Sequence, residues 1–354
     1  MTTRPRIAVL AVGNPTNERG GAERFYEGLR EGLEFSGVDA EIRWEISNEA
    51  GFDAIKASYL RFYDCDLTAF DGVISTKAPA YSVRHRNHVC YLVHTMRVFY
   101  DMFDVEFPAA SDELRRQREF IHALDTAALQ YPRTRKVFAI GHEVANRLAS
   151  FNGIEAEVLH LASTMTGFRN GPMRHLLLPG RLHRWKRVDL AIRAMQFVPN
   201  DIKLIITGTG EDEARFREYA AHDPRIVFTG RVSDAQLVDL YAGALAVLFV
   251  PIREDYGFVT VEAFLSGKPV ITCSDSGEPA RMVRDGFSGF VTEPDPQCLA
   301  AAIVELAGAP DRAAALGQSG MASVSQMTWG SVARRLLQSL GYAEPSAAVA
   351  SRKA

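Results

Sequence analysis

Short apolar runs alternate with longer amphipathic stretches along most of the chain. Such runs are typical of parallel strands covered on both faces, and the stretches between them repeat apolar residues at helical spacing. The predicted strands are Arg6–Val12, Ala40–Trp44, Gly72–Ser75, Val89–His94, Lys136–Ile140, Glu157–Leu161, His175–Leu178, Ile202–Thr207, Ile226–Phe228, Ala246–Val250, Val270–Cys273 and Gly289–Val291. The pattern predicts an α/β protein with one doubly wound sheet in each half.

Helices are predicted between these strands, and one polar stretch interrupts the pattern. The helices include Glu23–Phe35, Asp112–Gln130, Glu143–Phe151 and Trp329–Leu340, and Ser233 to Gln236 has the form of a capping box. The stretch 163–172 contains Gly and Pro and is the predicted linker. We predict a first domain over 1–165, a second domain over 172–327, a C-terminal helix over 328–342 and a disordered tail over 343–354.

Length and composition narrow the classes of function. A chain of 354 residues suits two domains, and a net charge of −3 with a pI near 6.3 argues against a nucleic-acid partner. The cysteines form no Cys-x-x-Cys pair, so Cys65, Cys90, Cys273 and Cys298 are predicted to be reduced thiols. The sequence shows neither a signal-peptide core nor an apolar run of membrane-spanning length, and we expect a cytoplasmic protein.

The segment 254–270 combines acidic residues with glycine turns. Glu254 precedes Gly257, and Glu262 follows after seven intervening residues, in what we predict to be the first turn of a helix. Backbone N–H groups at a helix N-terminus favour an anionic ligand, and a nucleotide diphosphate fits this description. The alternative is that the two glutamates are solvated surface charges, which is the more frequent case for glutamates at arbitrary spacing.

The same segment resembles the Glu-x7-Glu signature of the retaining family-4 glycosyltransferases. These enzymes have the GT-B fold, two Rossmann-like domains facing across a cleft, and use nucleotide-sugar donors. In the family the last helix crosses back onto the first domain, so the resemblance implies the same for the helix over 328–342. The matching residues are Glu254, Gly257, Glu262, Ala263, Gly267, Pro269 and Val270. The resemblance implies that Glu262 binds the ribose, Glu254 binds the hexose and Tyr256 orders the loop. It also implies that the backbone of Gly257, Phe258 and Val259 contacts the phosphates, with a side chain at Gly257 blocking that approach.

A second motif supplies positive charge. Gly180-Arg181-Leu-His-Arg-Trp-Lys186 resembles the family's Gly-Arg-Leu-x-x-x-Lys segment. Arginine can bind two phosphate oxygens at once and lysine provides a compact charge, so Arg181 and Lys186 are predicted to stabilise a departing diphosphate. The alternative is that both are solvated loop residues.

Further donor-site residues follow other predicted strands. Gly20 and Gly21 resemble the family's Gly-Gly loop beside the diphosphate, although paired glycines are common in ordinary turns. Gly208 lies in a Gly-Thr-Gly turn that lacks the third glycine of a dinucleotide-binding motif, and in the family this turn lies near the nucleotide. Arg231 and Val232 complete the predicted donor site.

His94 is the best catalytic candidate in the first half. The stretch His94-Thr95-Met96-Arg97 resembles the His-Thr-x-x-Arg segment of bacterial sugar transferases, many of them mannosyltransferases, with one residue fewer before the arginine. The alternative is a histidine that satisfies a local hydrogen bond. Asp64 and Asp66 have the Asp-x-Asp form of another glycosyltransferase class, which holds a divalent cation, but we interpret them as a helix-end or loop pair.

One departure from the family pattern concerns the predicted donor site. Where many relatives have Gly-Gly-Pro, this chain has Gly277-Glu278-Pro279. The resemblance therefore implies no donor contact at Glu278.

The resemblance implies a retaining hexosyltransferase, with catalytic residues His94, Glu254, Arg181 and Lys186. The implied partners are GDP-mannose or a UDP-sugar as donor and a hydroxyl of a saccharide, lipid-linked or small-metabolite acceptor. Its setting would be cell-envelope polysaccharide or glycoconjugate synthesis. No cofactor or metal is expected, and the basic stretches 84–86 and 133–136 could contact a membrane surface. The alternatives are a catalytically silent nucleotide-sugar-binding subunit and a GT-B epimerase or phosphorylase.

Overall fold

The computed structural model describes residues 4–13, 21–199 and 201–342. The chain divides into two compact units. The first comprises the chain up to Thr164 together with the part from Met327 onwards, and the second is Met165–Gln326. Gly20 and the predicted tail over 343–354 lie outside the described residues.

Each unit contains a six-stranded parallel sheet. The strands are β1 (Arg6–Val12), β2 (Asp39–Glu45), β3 (Gly72–Ser75), β4 (His88–Leu92), β5 (Lys136–Ala139), β6 (Glu157–Val158), β7 (His175–Pro179), β8 (Lys203–Thr207), β9 (Ile226–Gly230), β10 (Ala244–Leu248), β11 (Val270–Cys273) and β12 (Gly289–Thr292). Their order is β2-β1-β3-β4-β5-β6 in the first unit and β12-β11-β10-β7-β8-β9 in the second. Every predicted strand is confirmed, with end positions that shift by at most a few residues.

Helices follow most of the strands. They are α1 (Gly21–Phe35), α2 (Phe52–Tyr63), α3 (Phe103–Glu106), α4 (Asp112–Leu129), α5 (His142–Asn152), α6 (Val188–Ala194), α7 (Glu213–Ala220), α8 (Asp234–Ala242), α9 (Phe258–Leu265), α10 (Glu278–Met282), α11 (Pro296–Gly308), α12 (Pro310–Val324) and α13 (Trp329–Ser339). The capping box at Ser233 is confirmed, because the Ser233 side chain accepts from the Gln236 amide and the Gln236 side chain accepts from the Ser233 amide.

The last helix, α13, packs on α1 in the first unit. Two glycines of α1 make the contact possible: a Cβ on Gly28 would lie 2.4 Å from the Trp329 ring, and one on Gly32 would lie 2.6 Å from the Trp329 carbonyl oxygen. The Trp329 ring also meets Phe25 at 5.9 Å between centroids. Small residues therefore allow a close approach between the first and last described helices of this unit.

In the second unit, α12 packs on α9 in a similar way. A Cβ on Gly320 would lie 2.3 Å from the Phe264 ring, and one on Gly317 would lie 2.0 Å from the Gly267 carbonyl oxygen. Phe264 is fully buried in α9. This packing fixes α9, the helix that carries the predicted phosphate-binding turn.

The structure confirms the predicted state of the cysteines: all four are free thiols, and burial raises the pKa of Cys90 to about 12 and that of Cys273 to about 11. Among the helices of the described ranges, none combines the length and the apolar character that crossing a bilayer requires.

A carboxyl group buried in the first unit is held by tyrosine hydroxyls. Asp125 of α4 accepts from Tyr59 at 2.5 Å and from Tyr100 at 2.6 Å, and Asn152 donates to the Tyr100 hydroxyl at 3.3 Å. Burial raises the pKa of Asp125 to about 6, although the tyrosine hydroxyls act in the opposite direction. This network joins α2, α4 and α5 through polar contacts inside an apolar core.

The raised pKa of Asp125 predicts a pH-dependent contribution to stability. Because the native pKa lies above the unfolded value of about 4, the stabilising contribution is complete below about pH 4 and is lost as the pH rises through about 6. The free energy of unfolding of the wild type relative to Asp125→Asn should therefore be about 1 kcal/mol greater at pH 5 than at pH 7.5. Thermal melts of both proteins at the two pH values measure this.

The control for this comparison is Glu119→Gln, which changes an exposed carboxyl on the same helix. We expect its difference from the wild type to be the same at both pH values. An Asp125→Asn difference that did not change with pH would contradict the prediction.

Candidate functional site

Apart from Gly20 and Gly21, the predicted donor residues follow strands of the second sheet at one of its edges. All of its strands are parallel, so their carboxyl ends share that edge. The chain runs from β7 outward through β8 and β9 on one side, and from β10 outward through β11 and β12 on the other. Ligands of doubly wound sheets bind at such a reversal of strand order. The loops after β7 and β10 therefore flank the expected position of a ligand.

Lys186 and Glu254 meet at this reversal. Lys186 follows β7, Glu254 follows β10, and the Lys186 Nζ lies 2.5 Å from the Glu254 Oε2 although 68 residues separate them in sequence. The side chains are 26% and 21% exposed, and the Lys186 Nζ also lies 5.4 Å from the centroid of the Phe249 ring. The structure thus brings together two of the predicted catalytic residues, one able to bind phosphate and the other able to accept from hydroxyl groups.

The backbone at Glu254 is held by the loop after β11. The Glu254 amide donates to the Ser276 carbonyl at 2.9 Å, and the Glu278 amide donates to the Glu254 carbonyl at 2.9 Å. Gly277 lies opposite Glu254 as a parallel bridge, and a Cβ on Gly277 would lie 2.5 Å from the Glu254 carbonyl oxygen. Glu278, the departure from the family pattern, is buried as the first residue of α10 and leaves this ladder intact.

Gly257 caps α9 in a left-handed conformation, with φ of +78°. A Cβ there would lie 2.3 Å from the Phe249 ring. Backbone conformation and the Phe249 ring thus already require a glycine here, and the expected reason, space for a ligand, stays a prediction. Phe258 and Val259 form the start of α9, where a helix offers its N–H groups no internal acceptor.

Tyr256 lies under this turn. It is buried, and its ring meets the Phe258 ring edge to face at 5.6 Å. Burial, and secondarily the charge of Glu278, raise the pKa of Tyr256 well above its usual value. These contacts agree with the expected role of Tyr256 in ordering the loop.

The sequence predicted Glu262 in the first turn of its helix, and this prediction was wrong. Because α9 begins at Phe258, Glu262 is its fifth residue and belongs to the second turn. The carboxylate is buried and accepts from the hydroxyl of Tyr241, on α8, at 2.9 Å. A fixed acceptor of this kind is compatible with ribose binding, which stays a prediction.

Arg181 has a different partner from Lys186. Its guanidinium pairs with both carboxylate oxygens of Glu211, and its side chain is 67% exposed. Arg181 shares the edge of the sheet with the Lys186–Glu254 pair, but its ion pair is with Glu211 and not with Glu254. Its role as a phosphate ligand stays a prediction.

The turns after β7, β8 and β9 are joined through their backbones. The Gly180 amide donates to the Thr207 carbonyl at 3.0 Å, and the Gly208 amide donates to the Gly230 carbonyl at 2.8 Å. Gly208 has φ of +113°, and a Cβ on it would lie 2.0 Å from the Gly180 carbonyl oxygen. Arg231 and Val232 follow β9 at the same edge, so the structure places all these donor candidates in the loops at one edge of the sheet.

In the first unit, His94 lies in the loop after β4, since this strand ends at Leu92 and not at His94 as predicted. The Nδ1 atom of His94 lies 2.9 Å from the Thr95 carbonyl oxygen, and the His94 carbonyl accepts from the Ala78 amide at 3.2 Å. Gly21 is the first residue of α1. His94 therefore lies at the carboxyl end of a strand of the first sheet.

Arg97, from the same motif as His94, is tied to the protein core. Its Nη2 lies 2.6 Å from the Asp101 Oδ2, and the Arg147 Nε lies 2.7 Å from the Asp101 Oδ1. The Asp101 side chain is fully buried. Arg97 therefore stabilises the segment that follows His94.

The Asp-x-Asp pair is confirmed as a helix-end and loop pair. Asp64 is the C-cap of α2 and lies 3.6 Å from Arg84, and Asp66 accepts from the Thr68 side chain and amide. Local contacts account for both carboxylates.

Sequence reasoning missed three residues of the edge: Phe249, Arg187 and Asp275. The guanidinium of Arg187 binds both carboxylate oxygens of Asp275 at 2.6 and 2.8 Å, across 88 residues of sequence. The only local signal was the position of Arg187 directly after Lys186, which indicated nothing about its partner.

Comparison with known proteins matches residues 173–308 to the family of glycosyl transferases group 1. The α-1,3/1,6-mannosyltransferase ALG2 of Mus musculus is 27% identical over 165 residues, which are 41% of this chain and 40% of that protein. Sucrose-phosphate synthase from Thermosynechococcus elongatus has a similar fold, with a TM-score of 0.74 at 18% identity over 95% of this chain and 98% of the other. HepE from Anabaena, solved with UDP and glucose, has a TM-score of 0.70 at 15% identity over 96% and 100% of the two chains.

These similarities differ in extent. The solved structures match almost the whole chain and show the GT-B fold, two Rossmann-like domains, as expected. The curated relatives match between 29% and 50% of this chain, and the chain spans at most about half of their length. The family match covers β7 to α11 and therefore includes the Lys186–Glu254 pair.

The crowding at Gly208 predicts a large loss of stability on substitution. Gly208→Ala combines an unfavourable φ with a clash against backbone, and we expect a cost of roughly 3 kcal/mol or more. Gly230→Ala is the matched control, since Gly230 also has positive φ, +69°, but has open space around its Cβ position. That change should cost about 1 kcal/mol. Urea unfolding measures both, and equal costs would contradict the prediction.

Proposed function

We propose that the protein, whose residues 173–308 match the family of group 1 glycosyl transferases, is a retaining glycosyltransferase. It transfers a hexose from a nucleotide diphosphate sugar to a hydroxyl group of an acceptor. The observation that carries the proposal is the contact between Lys186 and Glu254 where the strand order reverses. A cation for phosphate and an acceptor for sugar hydroxyls, side by side, suit an activated sugar.

The donor binds the second unit in this proposal. The diphosphate lies at the start of α9, where the N–H groups of Phe258 and Val259 and the ammonium group of Lys186 reach its oxygens. Glu254 accepts from the hexose hydroxyls, and Glu262, held by Tyr241, accepts from the ribose. Arg181 exchanges Glu211 for phosphate when the donor binds.

The chemical step forms one bond and breaks another at the anomeric carbon. The acceptor oxygen attacks this carbon, the bond from carbon to the diphosphate oxygen breaks, and the acceptor proton passes to that oxygen. Entry and departure on the same face retain the anomeric configuration. Lys186 stabilises the charge that develops on the diphosphate, which is the main electrostatic demand of this step. We assign binding of the acceptor or sugar hydroxyl to His94.

Two comparisons bear on which sugar the donor carries. The name of one relative specifies mannosyl transfer, and one structure of similar fold was solved with UDP and glucose. Together with the resemblance around His94, this favours GDP-mannose, with a UDP-hexose as the second donor to test. The acceptor is a saccharide, a lipid-linked compound or a small metabolite. Identifying the product of the reaction distinguishes these classes.

The proposal predicts a glycoside with retained configuration. GDP-mannose and UDP-glucose, each labelled with 13C at the anomeric carbon, are incubated with the protein and a set of hydroxyl acceptors, and the product is followed by NMR. In both donors the sugar is α-linked, and we expect one of the two to give an α-linked product. An inverted product would contradict the retaining mechanism. Binding of the donor without any product would support the silent subunit, and an isomerised donor would support an epimerase.

Substitution at the ion pair should suppress transfer without unfolding the protein. We expect Lys186→Ala and Glu254→Gln each to lower kcat/KM by about 100-fold or more, because each removes a group that contacts the donor in the transition state. Initial rates with saturating acceptor measure this, and circular dichroism checks the fold.

Matched controls for these changes lie in the same unit. Lys203→Ala removes an exposed lysine at the amino end of β8, and Glu305→Gln removes the partner of Arg312 between α11 and α12. Both should keep kcat/KM within about twofold, as surface pairs contribute little. Full activity in both ion-pair variants would overturn the assignment.

A further inference from the structure

We propose that Arg187 is a positioning residue that sets the distance between Lys186 and Glu254 by tying together the three loops at the reversal of strand order. The inference rests on the proposed function, because it concerns the same donor site. It assigns to Arg187 a role that neither the motifs nor the comparisons indicate.

The first tie reaches the loop after β10. The Arg187 Nε donates to the Val250 carbonyl at 2.7 Å, and the Nη2 donates to the Pro251 carbonyl at 2.8 Å. These carbonyls lie at the start of the loop that leads to Glu254. The guanidinium thus fixes where this loop leaves the sheet.

The second tie reaches the loop after β11. Arg187 binds Asp275 through both nitrogens of its terminal fork, and the Nη2 also lies 3.4 Å from the Ser276 Oγ. Ser276 is the residue whose carbonyl accepts from the Glu254 amide. Arg187 therefore holds both strands of the short ladder that supports Glu254.

The backbone of Arg187 belongs to the third loop, the one after β7. Arg187 directly follows Lys186 and caps α6 with φ of +49°, and Arg253, directly before Glu254, has φ of +46°. Across residues 4–13, 21–199 and 201–342, these are the two non-glycine residues with positive φ. Such backbone persists only where the surroundings determine it, and here both instances adjoin the ion pair.

The chemistry of this network requires arginine. Three nitrogens serve two carbonyls, one carboxylate and one hydroxyl, in a planar arrangement that a lysine ammonium group does not reproduce. The Arg187 side chain is only 14% exposed, so little of it is available to contact a substrate directly. Its effect on transfer would be exerted through Lys186 and Glu254, where a displacement of about 1 Å can cost on the order of 100-fold in rate.

The chain offers a close control in Arg225. This residue also binds both oxygens of one carboxylate, Asp223, and donates to the carbonyls of Met195, Val198 and Pro199. Its side chain is 13% exposed, but it precedes β9 at the opposite, amino edge of the same sheet. Arg187→Met and Arg225→Met thus each remove a guanidinium that binds one carboxylate and several backbone carbonyls, at opposite edges of one sheet.

The experiment compares these variants by melting temperature, transfer and hydrogen exchange. We expect the two methionine variants to lose similar amounts of melting temperature. For Arg187→Met alone, kcat/KM should fall by roughly 30-fold or more, whereas Arg225→Met should keep its activity within about twofold. Arg187→Lys should recover less than about a third of the lost activity. Equal activity of the two methionine variants, or full rescue by lysine, would overturn the proposal.

Hydrogen exchange separates this inference from the proposed function. Amides in 250–256 and 274–278 should exchange at least about tenfold faster in Arg187→Met than in the wild type, and at the wild-type rate in Arg225→Met. This readout needs no donor and no turnover. A wild type that forms no glycoside would overturn the proposed function alone, whereas unchanged exchange in both loops of Arg187→Met would overturn the positioning role alone.

Discussion

The contact between Lys186 and Glu254 exists because parallel strands place their carboxyl ends on one edge. The two residues are 68 positions apart, and only the adjacency of β7 and β10 brings their loops together. Because the pair is partly exposed, it contributes little to stability. The backbone ladder at Ser276 and the ties of Arg187 hold it in place instead. Stability at this edge thus resides in hydrogen bonds to backbone, which leaves the charged groups available for chemistry.

At the carboxyl edge of the second sheet, several backbone segments pack so closely that a Cβ atom would not fit. Gly208 lies against the Gly180 carbonyl, Gly277 against the Glu254 backbone, and Gly257 against the Phe249 ring. A glycine at each position allows both the positive φ and the close approach. Glycines common to this kind of motif therefore need no ligand to explain them, and at Gly257 the protein's own packing is a sufficient cause. A ligand would use a surface that the fold already requires.

Sequence reasoning predicted the sheets well because the apolar period is a local property that burial on both faces enforces. It located Lys186 and Glu254 through motifs, yet it misplaced Glu262 by one turn. The start of α9 depends on the left-handed Gly257, and sequence shows only that a glycine is present. Ion pairs between residues distant in sequence could not be predicted from the sequence. Arg187 with Asp275, and Arg181 with Glu211, depend on which loops the topology makes neighbours.

The fold does not determine which sugar the protein would bind. A TM-score of 0.74 at 18% identity means that very different sequences build this pair of sheets. The residues that would distinguish one sugar from another lie in the loops after the strands, where substitution costs the sheet little. Glu278 illustrates this. It stands where the family pattern expected from the sequence has glycine, it is buried, and its amide donates to the Glu254 carbonyl within the intact ladder. The loop after β11 thus accommodates a residue other than glycine at this position while the backbone stays as the fold requires.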